Sequence, residues 1–208
     1  MPGVGKTQLA LKFASLASQR SQYAYVFWMS AASVEKLTRD FSKLVDLLRL
    51  PGWSALDQAS KVTVARAWLE DPTAAKSWLV VLDNVTQETS VILRDMLPRR
   101  NSGGRLLLTT RTTKIADVFT APGKSSQLAL QPPGTGDAVA MLSAGAGMER
   151  EGAMAASYAD AEQVVRFVGK LPLAIDQAAS FIRDTGRSAN EILDIYRSEE
   201  AVEVRKIV

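Results

Sequence analysis

Residues 2–8, Pro2-Gly3-Val4-Gly5-Lys6-Thr7-Gln8, have the types and spacing needed to hold a polyphosphate. They match the end of the pattern G-x-x-x-x-G-K-[ST], whose first glycine would sit one residue before Met1. Glycines let the backbone wrap closely round a phosphate, and consecutive N–H groups with the positive end of the following helix then face its charge. Lys6 would reach the β- and γ-phosphates, and the Thr7 hydroxyl would bind Mg²⁺. A plain glycine turn before a helix is the bland reading of the same string.

Further residues point the same way. Asp83 stands at the end of the apolar run Trp78-Leu79-Val80-Val81-Leu82, where such a loop's partner carboxylate holds Mg²⁺. Taken alone, it is as readily an aspartate capping the next turn. Thr109-Thr110-Arg111 closes a later strand. Ligands of parallel sheets lie outside the carboxyl ends of the strands, so Arg111 could sense a γ-phosphate by a charge-assisted hydrogen bond. Gly169-Lys170-Leu171-Pro172-Leu173-Ala174 lies between two apolar-faced helices. Gly169 would cap the first, and Pro172 would stiffen the joint.

These residues need a scaffold. Lys6 to about Ser18 carries Leu9, Phe13, Leu16 and Ala17 at helical spacing. Ala24–Met29 reads as a buried strand, and Ser33 caps a helix faced by Leu37, Phe41, Leu44, Val45 and Leu48 that ends at Pro51-Gly52. A helix over Gln58–Glu70 precedes the strand ending at Asp83. A helical segment around Val91-Ile92-Leu93 closes at Pro98, before a strand over Arg105–Thr109. Leu128-Ala129-Leu130 is a further apolar run before Pro132-Pro133. Non-alternating strands separated by helices predict an α/β fold with a parallel sheet covered on both faces. Beyond about Gly134 only helices are expected, over Asp137–Ala144, Tyr158–Val168, Leu173–Arg183 and Asn190–Arg197, with Gly145–Ser157 as a connection. The division expected is an α/β domain over 1–131 and a helical subdomain over 132–208.

Composition narrows the classes. Apolar residues make up 47% and charged residues 23% of 208, the profile of a globular protein. No apolar run approaches the ~18 residues of a membrane span, and no signal peptide is visible. The absence of cysteine excludes disulfides and fits the cytoplasm. The absence of histidine excludes histidine acid–base catalysis and histidine metal sites. A net charge of +3 does not argue for a nucleic-acid partner. The local excess of Arg94, Arg99, Arg100, Arg105, Arg111 and Lys114, with Asp95 its sole acid, reads as a solvated stretch.

The loop with its Thr7-Gln8-Leu9-Ala10 continuation, the strand ending Leu82-Asp83-Asn84, Thr109-Thr110-Arg111 and Gly169-x-Leu171-Pro172-Leu173-Ala174 recur in this order in one family. The chain resembles the NB-ARC domain of STAND-class P-loop NTPases, the nucleotide-binding core of NLR-like signalling proteins. Tyr25-Val26-Phe27-Trp28 and Trp68-Leu69 look most like fungal versions. The resemblance implies an adenine-nucleotide switch, held closed by ADP and opened by ATP with Mg²⁺, whose full-length parent self-associates to signal. It implies nucleotide contacts at Gly3, Val4, Gly5, Lys6, Thr7, Gln8, Arg111 and Pro172, with Pro172 against the nucleotide. It also implies metal ligands at Thr7 and Asp83, and chemistry, if any, at Lys6, Asp83 and Arg111.

Departures from the pattern carry their own expectations. The strand that precedes the loop in the family is missing, as is the loop's first glycine. Asn84 replaces an acid common in the family, and an amide cannot take a proton from water, so hydrolysis should be slow or absent. The chain ends before the winged-helix domain and its Met-His-Asp motif. Three readings stand: a nucleotide-binding switch core, a hydrolysing ATPase, and a non-binding remnant serving as an interaction fragment.

Overall fold

The computed structural model describes residues 1–73, 77–99, 103–120, 126–148 and 154–207. Its apolar runs form β1 (Tyr25–Ser30), β2 (Trp78–Val85) and β3 (Arg105–Thr110). These strands pair in parallel in the order β1-β2-β3. β2 is apolar without alternation because both its faces are covered. Trp78, Val80 and Leu82 enter one core with Met29, Leu37, Phe41, Leu69 and Leu93, whereas Leu79 and Val81 meet Ala10, Ala14 and Ala17. Side chains of a strand alternate between faces, so one run feeds two cores.

The small-residue core belongs to α1 (Lys6–Gln19), and the larger one to α2 (Val34–Leu47), α3 (Gln58–Glu70), α4 (Gln87–Met96) and α5 (Thr113–Phe119). Helix starts follow local chemistry. Ser33 accepts from the Lys36 amide at 3.3 Å, and Asp57 from the Ser60 amide at 2.8 Å. Thr86 and Thr89 form a reciprocal capping box at the start of α4. With Met1, Lys6–Leu128 form one compact unit.

Aromatic residues lock β1 and β2 to α3. Trp68 meets Tyr25 and Phe27 edge-on, with ring centroids 5.1 and 6.1 Å apart. The Trp78 indole N–H donates to the Leu69 carbonyl at 3.0 Å. Trp78 also packs closely against the backbone before β3. A Cβ on Gly104 would stand 2.0 Å from Trp78 Cε2. Gly104→Ala is therefore expected to lower stability by roughly 3 kcal/mol, the upper end of overpacking costs. A urea midpoint equal to that of the parent would show that the ring can yield.

The second unit comprises Pro2–Gly5 and Ala129–Val208. It contains α6 (Thr135–Ala146), α7 (Met154–Phe167), α8 (Pro172–Thr185) and α9 (Ala189–Ile207). Its core is Leu142, Val164, Val165, Ile175, Ile182, Ile192 and Leu193, with small residues such as Ala178 and Ala179 letting helices approach. Proline opens α8, where its missing N–H costs nothing. Arg183 of α8 donates to the Gly145 carbonyl at 2.6 Å, satisfying a group near the end of α6.

The elements differ from the sequence reading in places. β2 continues past Asp83 to Val85, and α5 was not anticipated. Leu128-Ala129-Leu130 is not a strand. Leu128 is 78% exposed, and no strand among the described residues pairs with that run. An apolar run becomes a strand only where another strand meets its backbone groups. In the basic stretch, Arg99 pairs with Asp95 at 3.8 Å and Arg105 donates to the Gly104 carbonyl at 2.9 Å. Arg100 and residues 149–153 of the expected connection lie outside the described residues. No helix among the described residues is long and apolar enough to cross a membrane.

Candidate functional site

In the α/β unit the polar residues gather where the strands end. Lys6 opens α1, and its ammonium donates to the Met1 carbonyl at 2.5 Å. Thr7 follows on the first turn, and its hydroxyl donates to Asp83 Oδ1 at 2.8 Å. That bond joins residues 76 apart in sequence. Gln8 is exposed on the same turn. Arg111, one residue past β3, is exposed, with no hydrogen bond or ion pair among the described residues.

Asp83 is presented by an irregularity in the sheet. Leu82 pairs with Leu108 and Val85 with Thr110, so Asp83 and Asn84 together face Thr109 alone. This is a β-bulge, a device that re-aims a side chain. Asn84 adopts φ +62°, a left-handed conformation that asparagine tolerates better than most residues. Its backbone N–H donates to Thr109 Oγ1 at 2.8 Å, and the Thr109 hydroxyl donates to Asp83 Oδ1 at 2.7 Å. Thr110 closes the far side of the bulge by donating to the Val85 carbonyl at 3.1 Å.

The helical unit holds the rest of the loop. Gly3 and Gly5 have φ +73° and +93°, a region side chains avoid, and Val4 between them is buried at 5% exposure. The Gly3 carbonyl accepts the Leu173 amide at 3.2 Å, satisfying one of the N–H groups left unpaired at the start of α8. Pro172 lies beside the same loop: a Cβ on Gly5 would be 4.0 Å from its Cγ. The sequence reading singled out Gly3, Gly5 and Pro172 but not the Leu173 amide, whose role depends on backbone geometry alone. It likewise placed Thr109 in a motif without a task. Its signal was a hydroxyl residue at the end of the strand beside Asp83.

The donor set suits Mg²⁺. Thr7 and Asp83 offer a hydroxyl and a carboxylate, both hard oxygen donors. Mg²⁺ is ordinarily held by one or two carboxylates plus phosphate oxygens and water rather than by an all-protein cage. No cluster of three or more histidine, cysteine, aspartate or glutamate side chains occurs among the described residues. Phosphate oxygens and water would therefore have to complete the shell.

The chain is 29% identical over 210 residues to a nucleotide-binding leucine-rich repeat (NLR)-like protein of the fungus Hyaloscypha variabilis. The alignment takes in 94% of this chain but only 20% of that relative. The NB-ARC domain itself matches residues 1–148, from the glycine loop through the sheet to the first helix of the second unit. On that match, the chain belongs to the NB-ARC family.

Proposed function

We propose that this chain is the adenine-nucleotide-binding switch core of an NLR-like signalling protein, binding ADP or ATP with Mg²⁺ and hydrolysing slowly or not at all. The observation that carries the reading is the 2.8 Å bond between Thr7 and Asp83, because it unites the loop hydroxyl and the strand-end carboxylate as two metal ligands would be. On this reading Lys6 and Gln8 contact phosphate, Thr7 and Asp83 hold Mg²⁺, and Arg111 reads the γ-phosphate. Within the helical unit, Gly3, Val4, Gly5 and Pro172 are the proposed nucleotide contacts. Slow turnover follows from Asn84, whose amide cannot deprotonate water, and from a sequence with no histidine to replace it. The relative's name supports nucleotide binding and an NLR-like context. Cytoplasmic location and self-association of a longer parent belong to the same proposal.

Titration calorimetry of the chain with Mg²⁺–ADP and Mg²⁺–ATP tests binding, and steady-state phosphate release tests turnover. Saturable binding with negligible release is the expected result. A folded chain that takes up neither nucleotide would leave only an interaction fragment. Sustained phosphate release would make it an ATPase instead.

A further inference from the structure

Resting on the nucleotide reading, we propose that Thr109 is a positioning residue that sets the Asp83 carboxylate for its metal. Thr109 is 7% exposed, and its hydroxyl is used on both sides. A hydroxyl carries one donor and two acceptor sites. Here the donor goes to Asp83 Oδ1 at 2.7 Å, and an acceptor site takes the Asn84 amide at 2.8 Å. The same Oδ1 takes the Thr7 hydroxyl. The bulge leaves the Asn84 amide facing a side chain instead of a ladder carbonyl. Without the Thr109 hydroxyl this N–H would lose the bond that stabilises the left-handed turn. Asp83 would then keep its loop contact but lose its second anchor.

A valine at this position would have nearly the same shape, so the hydroxyl is the operative difference. Threonine also suits the task because its β-branch restricts χ1, which fixes where the hydroxyl points. Residues behind a metal ligand commonly orient it, and their loss weakens metal affinity although they never touch the ion. A threonine that only satisfied a buried amide would not need to share its proton with the carboxylate. The short bond to Asp83 is what separates the two roles.

The test compares ADP affinity with Mg²⁺ and with EDTA for the parent chain, Thr109→Val and Thr109→Ser. In Thr109→Val the gain in affinity conferred by Mg²⁺ should fall about tenfold, with metal-free affinity unchanged, and Thr109→Ser should restore the gain. A full parental Mg²⁺ gain in Thr109→Val overturns the assignment. So does an equal loss with and without metal, since that is the mark of a purely structural role. Absence of ADP binding by the parent would count against the nucleotide reading instead. Urea midpoints of Thr109→Val, Asp83→Ala and the double variant then test the coupling that positioning requires: additive shifts overturn it.

Discussion

Replacing Lys6 with alanine is expected to remove measurable binding of both ADP and ATP. A charge-assisted hydrogen bond contributes about 1.5–3 kcal/mol, and an ammonium spanning two phosphates makes more than one. The loss should reach on the order of a hundredfold or more, enough to take an ordinary affinity out of calorimetric range. Stability should barely change, because the contact Lys6 makes in the chain is with the Met1 carbonyl, a group that water can satisfy equally well. Calorimetry and a urea melt on the same preparation separate the effects. Undiminished ADP binding in a folded Lys6→Ala chain would show that the loop is not where phosphate is held.

Arg111→Ala should act selectively. Arg111 is exposed and has no partner among the described residues, so its removal costs the fold little. A guanidinium that meets only the γ-phosphate contributes nothing to ADP and a charged hydrogen bond to ATP. The ATP-to-ADP affinity ratio is therefore expected to drop about tenfold, the equivalent of a contact of that class. Direct titration of both nucleotides into parent and variant gives the ratio. An unchanged ratio would return Arg111 to the solvated surface.

The sequence was most legible where one rule governed many residues. Trp78 to Leu82 reads as a buried strand, and the period of Leu37, Phe41, Leu44 and Val45 as a helix with one apolar side, and both form. Thr7 and Asp83 were paired from motif order alone, and they lie in hydrogen-bond contact. What escaped depended on a neighbour. The seven residues of α5 bury a single side chain, Ile115, and so leave no periodic trace. The bulge at Asp83-Asn84 exists only relative to Thr109 on β3, so β2 read alone stopped too early. Leu128-Ala129-Leu130 shows the opposite error. It has strand composition, but composition does not supply a pairing partner.

The bond between Thr7 and Asp83 also bears on the order of arrival. In the chain as it stands, the hydroxyl proton already neutralises part of the carboxylate's demand, and a bare divalent ion would have to displace that proton's bond and shed its own tightly held water. A cation that comes with a nucleotide brings phosphate oxygens to complete its shell and meets less resistance. The ion would then travel as cargo of the nucleotide. On the proposed nucleotide reading, a change in free magnesium alone would leave the empty protein little altered.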